Sequence, residues 1–290
     1  MQLIIYIKQT DNANIIKKIF NIFKIESVEN RTFIELPIDI KTQKRKQKHI
    51  AQKLCKFLYE NNIRNVVLSD KLMQLDDFKN ILYFNSINIL DGTKLSKYLV
   101  INLIEKVYSY KEKRIEAGEV TFLVNDNSDI FTETITRTAQ MAKRINIITL
   151  NTKKFEPVVQ SLYEELGIIV KLSNNFKANL SSTDLIVNLD FPEEYINKIN
   201  IPREATILNL PDNINIKSKK FAGINIRNWE IEVPNTYKIA GFNKNIVYEA
   251  ETYSGLCLEN MKKIQNDKIK IIRLIGKNGP INHKEFIKKM

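Results

Sequence analysis

Apolar residues recur along this chain in two rhythms. Short, near-continuous runs rich in Ile and Val over residues 2–8, 32–38 and 65–69 predict strands, while residues 41–62 place Ile50, Ala51, Leu54, Phe57 and Leu58 on one face at helical spacing. Strand, helix and strand in that order make the unit of a parallel sheet. Residues 91–114 predict one long helix, with Leu95, Leu99, Leu103 and Val107 recurring every fourth position.

The rhythm becomes more regular further on. Strands are expected over 120–124, 145–150, 168–172, 184–189 and 205–210, with helices over 128–144 and 155–166, the second closed by Gly167. Unalternated β-branched runs fit strands covered on both faces. Right-handed helical crossovers then give a doubly wound sheet. The fold class expected is α/β: a Rossmann-like parallel sheet preceded by a smaller α/β domain, with a C-terminal helical segment packing back on the first domain. Beyond Pro211 the pattern loosens to a strand within 224–233, a helix over 245–264 and a last short helix opened by Asn282 with Glu285 as a capping box. The final helix is expected against the first domain.

Charge refines the division. The 290 residues carry a net +12, distributed as +8 over 1–118, −1 over 119–240 and +5 over 241–290. The shift at Gly118 sets expected domains of 1–117 (α/β), 118–235 (Rossmann-like) and 236–290 (C-terminal helical segment). A hydrophobic fraction of 43% with 27% charged residues is that of a globular chain and excludes a disordered or disulfide-stapled one. No apolar stretch is long enough to span a bilayer and no secretory leader opens the chain, so a cytoplasmic protein without membrane contact is expected, with Cys55 and Cys257 as buried thiols.

Candidate chemistry is sparse. Two Cys and two His do not make a zinc site, and His49 and His283 have no ligand partner at metal spacing, so no metal is expected. Neither a Gly-x-Ser-x-Gly elbow nor a phosphate-binding Gly-x-x-x-x-Gly-Lys loop occurs. Tyr253, Ser254 and Cys257 lie close in sequence but lack a histidine to activate a nucleophile. In a doubly wound sheet the ligand sits beyond the carboxyl ends of the strands, which here points to the turn Asn125-Asp126-Asn127-Ser128-Asp129-Ile130. A dinucleotide turn places glycines at the positions held by Asn125, Asn127 and Ile130. Asp126 and Asp129 oppose a phosphate and suit helix capping. At the end of the next strand, Asn151, Lys153 and Lys154 suit a 2′-phosphate, hence NADP rather than NAD, or are ordinary solvated residues.

The segment 91–210 resembles the shikimate dehydrogenase and glutamyl-tRNA reductase type of two-domain protein. Asp91-Gly92 entering a helix is similar to that family's Asn-Thr-Asp-x-x-Gly entry, Ile148-Thr149-Leu150-Asn151-Thr152 to its Val-Asn-Arg-Thr strand end, and Asp184-Leu185-Ile186-Val187-Asn188 to its Asp-hydrophobic-Ile-Asn-Ala-Thr-Pro strand. Asp39 stands where the family has its catalytic lysine, and Thr152 where it has the arginine for the cofactor phosphate. The resemblance implies a dehydrogenase-type protein with a degenerate site: a weak NADP-binding oxidoreductase acting on a small carbonyl or acid lodged between the domains, or one that has lost the cofactor. Asp91 is then the catalytic candidate, and Asn125, Asn127, Ser128, Asn151, Lys153, Lys154 and Asn188 the cofactor-binding ones.

A second reading needs no chemistry. Lys41, Lys44, Arg45, Lys48 and Lys56 fall opposite Ile50, Leu54 and Phe57, with no acid between Lys41 and Lys56. Such a positive face holds phosphates of nucleic acid or an acidic partner, and in a chain this rich in Ile, Lys and Asn it also arises as a plain solvated surface. The run has no interleaved aromatics and matches no known nucleic-acid module.

Overall fold

The computed structural model describes residues 4–10, 23–29, 31–177, 180–211, 214–217, 221–253 and 269–287. It divides into two compact units, Met1–Leu95 with Val233–Ile264 and Ser96–Glu232 with Gln265–Met290. The first boundary falls between Leu95 and Ser96, within the helix expected over 91–114, rather than at Gly118. That helix is two, α3 (Thr93–Tyr98) and α4 (Val100–Tyr110), interrupted at Leu99.

In the first unit, β1 (Ile4–Gln9), β3 (Arg31–Leu36), β4 (Asn65–Leu68) and β5 (Asn88–Ile89) run parallel, and β2 (Lys24–Val28) pairs antiparallel with β3 to give the order β2-β3-β1-β4-β5. Neither β2 nor β5 stands out in the sequence, because one is largely exposed and the other is two residues long. Helices α1 (Lys44–Glu60) and α2 (Asp76–Phe84) cover one face. Ile50, Leu54 and Leu58 of α1 are fully buried there, each contributing about 1.5–3 kcal/mol. Surface ion pairs contribute about 0–1 kcal/mol, so the apolar face fixes α1 and leaves its basic face free of structural duty.

The opposite face packs Tyr6, Phe33 and Val67 against Phe242, Ile246, Val247 and Ala250, the last three from α8 (Lys244–Tyr253). Arg31 fastens that helix, donating to Glu251 at 2.6 and 2.9 Å, and the Tyr6 hydroxyl donates to Glu251 at 2.6 Å. The C-terminal segment therefore does return to the first unit, through α8. Residues 254–264 of the helix expected there, with Ser254 and Cys257, lie outside the described residues.

The second unit holds β6 (Glu119–Leu123), β7 (Arg144–Ile148), β8 (Val170–Ser173), β9 (Leu185–Asn188), β10 (Thr206–Asn209) and β11 (Ile224–Ile226) in one six-stranded sheet. All neighbours are parallel and the order is β11-β10-β9-β6-β7-β8. Read from β8, this is the 3-2-1-4-5-6 order of a Rossmann-like doubly wound fold. Helices α5 (Asp129–Met141), α6 (Glu156–Leu166) and α7 (Glu193–Ile196) lie in the crossovers. Gly167, at φ 66°, caps α6 in the left-handed conformation as expected. The strand expected within 224–233 is two: β11 joins the large sheet, and β12 (Asn228–Ile231) pairs antiparallel with β13 (Ile271–Gly276). β13 turns into β14 (Gly279–Pro280) ahead of the last helix, α9 (His283–Ile287). The capping box forms, with Asn282 N–H donating to Glu285 at 2.9 Å and Lys284 N–H to Asn282 at 2.9 Å. α9 rests on α4 within the second unit, Phe286 against Tyr110 at 5.4 Å between ring centres, so the final helix meets part of the 1–117 segment expected as the first domain.

Candidate functional site

Strand order reverses between β6 and β9, so the crevice a doubly wound fold offers to a ligand opens at Leu123, Val124 and Asn188. A phosphate at such a mouth is held by backbone N–H groups of the turn after the first strand. Here a side chain of the protein holds them. The carboxylate of Asp190, two residues beyond β9, accepts from Asn125 N–H at 2.7 Å and Asp126 N–H at 2.6 Å. Burial raises the Asp190 carboxyl above its usual range, the two amide donors opposing that rise. A pyrophosphate brought to these two amides meets an anion already in place.

The remaining turn residues are also engaged. Asn125 Oδ1 accepts Leu150 N–H at 2.9 Å, tying the turn to the end of β7. Asp126 accepts Ser128 N–H at 3.1 Å in a local turn. Ser128 opens α5 through its backbone, and its hydroxyl oxygen is buried without a hydrogen-bond partner among the described residues. Asn127 is exposed. Asn151, Lys153 and Lys154 are exposed at the end of β7 and just beyond it, Lys154 N–H donating to Asn151 O at 3.3 Å.

Asn188 belongs to a different construction. Its amide donates to Phe191 O at 3.1 Å and Asn209 Oδ1 at 3.0 Å, and its oxygen accepts Phe191 N–H at 2.8 Å. Asn209 passes the chain on to Asn225 at 2.6 Å. This buried ladder ties the ends of β9, β10 and β11 and uses the hydrogen-bonding groups that Asn188 would turn to a cofactor.

Asp91 sits in the first unit as an exposed turn residue, accepting from the N–H and hydroxyl of Thr93. Beside it the buried carboxylate is Glu249, 2% exposed, which accepts Leu95 N–H at 2.7 Å as well as the Gly92 N–H. Burial raises the Glu249 carboxyl, and the two amide bonds hold it back. Both acids therefore serve the start of α3. Elsewhere in the second unit, buried Lys111 donates to Asp184 O at 2.5 Å, and burial lowers its ammonium to about 8. Asp184 is fully engaged there, pairing with Lys113 and accepting Glu119 N–H at 2.7 Å. No group of three or more His, Cys, Asp or Glu among the described residues is placed to hold a metal, and no described helix is long and apolar enough to cross a membrane.

The basic run forms a concave surface. α1 and α2 enclose a groove of about 830 Å³. Lys44, Arg45, Lys48 and Lys56 line its α1 wall with Tyr59, and Phe84 closes the α2 wall. Lys41, also exposed, lies in the turn ahead of α1. Aromatics absent from the linear run are supplied by the fold: Tyr59 is 64% exposed and Phe84 88%. Tyr59 lies one turn beyond Cys55, while Phe84 comes from a helix whose pattern is too short to announce itself. The one acid of the groove, Asp77, pairs with Lys44 at 2.9 Å, both largely exposed. Arg45 and Lys48 have no acidic partner among the described residues. Cys55 forms the floor, and burial raises its thiol to about 11, so it is an inert apolar contact. The first turn of α1 holds no acid. Lys44 and Arg45 of that turn therefore add to the positive end of the helix dipole instead of opposing it.

No family model matches this sequence, and no curated protein matches it. Among solved structures the chain is similar to L-tryptophan dehydrogenase from Nostoc punctiforme, at 11% identity over 92% of this chain and 79% of that one, with a TM-score of 0.38. It is also similar to D-2-hydroxyisocaproate dehydrogenase, at 9% identity over 71% and 70% with a TM-score of 0.34. Ornithine transcarbamoylase from Giardia lamblia gives 6% identity over 72% and 72% with a TM-score of 0.30. Likenesses this low carry no argument about activity, and the Rossmann-like assignment rests on strand order and direction.

Proposed function

We propose that this chain works by binding an extended polyanion, nucleic acid or an acidic partner, on the α1–α2 groove of its first unit, without chemistry. One observation carries the reading: four cations of one helix face a groove in which Asp77 is the single carboxylate. The dipole of α1 reinforces the field of Lys44 and Arg45, in its first turn. An alternative in which these lysines are plain solvated surface predicts no saturable site. A filter titration with a labelled oligonucleotide separates the two. About three phosphate contacts give a log–log salt slope near −2, a loss of roughly twentyfold between 50 and 200 mM salt. Replacing Lys44, Arg45 and Lys48 by Gln together lowers affinity roughly a hundredfold and flattens the slope. Retention of full affinity by that variant overturns the reading.

A second reading, an oxidoreductase with a weak NADP site, is favoured by the 3-2-1-4-5-6 order of the second unit. It requires Asp190 to leave Asn125 N–H and Asp126 N–H. NADPH that raises the melting temperature saturably, and more so in Asp190→Asn, would support it.

A further inference from the structure

Resting on the polyanion reading, we infer that the occupant of the α1–α2 groove is a single strand of nucleic acid whose bases stack on Phe84 and Tyr59 while its phosphates follow Lys44, Arg45 and Lys48. Charge selects an anion; the rings select which anion. A phenyl ring left 88% exposed at the end of a helix has lost its own burial, and Phe84 shares the groove with a tyrosine 64% exposed. Exposed rings beside a cationic track are the two parts of a single-strand site: every base has a π-face, and stacking tolerates any sequence. Tyr59 already serves as a stacking surface, with the Arg64 guanidinium 4.9 Å from its ring centre.

The groove is also scaled to a strand. Arg45 and Lys56 lie eleven positions apart on α1, roughly 16 Å along its axis, with Tyr59 one turn further on. Gln52 and Asn80 stand in the walls between them, offering amide donors and acceptors to base edges. A duplex buries its bases in the stack and has no ring to give Phe84. A bilayer surface is flat and polar-faced and suits a convex apolar ridge better than a concave groove walled by amides. Asp77 is the counterion that a phosphate replaces on Lys44; both partners are largely exposed, and such pairs hold weakly.

The full chain is titrated, by fluorescence anisotropy, into labelled single strands of about twelve nucleotides, as RNA and as DNA. The matching duplexes, heparin and vesicles of phosphatidylserine with phosphatidylcholine are run alongside. The proposal expects both kinds of single strand to bind at least tenfold more tightly than the duplex. Phe84→Ala lowers single-strand affinity roughly fivefold or more and leaves heparin binding unchanged; Phe84→Trp restores it, and Tyr59→Ala acts in the same direction. Phe84 and Tyr59 are exposed, and an unchanged melting temperature confirms that the variants fold. Equal affinity for single strand, duplex and heparin, with Phe84→Ala silent in all three, overturns the stacking inference and leaves the polyanion reading standing. Binding of vesicles that depends on Phe84, without binding of oligonucleotides, overturns it in favour of a membrane surface. Binding to none of the probes overturns both readings together.

Discussion

In the turn after β6 a carboxylate from the neighbouring strand takes up the backbone donors, whereas along α1 the cationic side chains face an open groove with one acid among them. Both places are where a sequence reader looks for an anion. In the second unit the fold-level expectation is strong but the turn's donors are already engaged: Asp190 accepts from Asn125 and Asp126, and Asp126 and Asp129 add charge of the same sign. In the first unit the fold promises nothing, yet the side chains converge. Site chemistry and fold lineage are separable, and the first decides what binds.

The largest effect expected is on the α1 side. Exchange of Lys44, Arg45 and Lys48 for Gln lowers oligonucleotide affinity roughly a hundredfold, near 3 kcal/mol, while Asp190→Ala leaves affinity unchanged. Equal losses from both variants would erase the difference between the two regions. Next comes the internal acceptor. Asp190→Ala strands two amide donors at a partly exposed turn and costs about 1–3 kcal/mol in urea denaturation; Asp190→Asn keeps one acceptor and costs less.

The pH dependence of Asp190 has a definite sign. Its carboxyl is raised in the fold, so the native state binds the proton more tightly than the unfolded chain. The penalty for ionising it is absent below the unfolded carboxylate range near 4 and grows as pH rises through the raised native value. Wild type therefore loses stability relative to Asp190→Asn as pH rises through that window. A flat difference between the two proteins would show that burial does not govern this carboxylate.

Lys111 gives an effect of opposite sense. Its ammonium is lowered to about 8 by burial, against about 10.4 unfolded. Between those values the unfolded chain binds the extra proton, so stability rises with pH by about 3 kcal/mol. Lys111→Met removes the rise, as pH-resolved melting should show. The smallest effect is at Asp77. Asp77→Asn changes stability by less than about 1 kcal/mol and raises oligonucleotide affinity a few-fold by freeing Lys44. A drop in affinity would mean that Asp77 shapes the groove instead of masking it.

Much of the architecture is legible in the sequence. The parallel strands of the second unit show as apolar runs because helices cover both faces, and Gly167 and the Asn282–Glu285 pair mark helix ends through local hydrogen bonds. Exposed β2, the brief β5 and the nine-residue α2 do not show, since none carries enough apolar periodicity. Missing α2 hides the second wall of the groove, and with it Phe84. The turn's lack of glycine is visible in its own residues, but the occupant of its amides is not, because Asp190 reaches Asn125 across 65 positions of sequence. Asp190 does leave one trace: an acid directly after a predicted buried strand, at the end where ligands sit. Asn188 likewise resembles a cofactor contact in sequence, and only the cross-strand partners Asn209 and Asn225 reveal a structural ladder.

Hydrogen–deuterium exchange of the full chain, with and without a saturating single-stranded oligonucleotide, tests most directly where the anion binds. Slowed exchange confined to residues 44–59 and 76–85, with 124–130 unchanged, is the expected result. Protection at 124–130 with none along α1 and α2 would place the anion at the Rossmann mouth and contradict it.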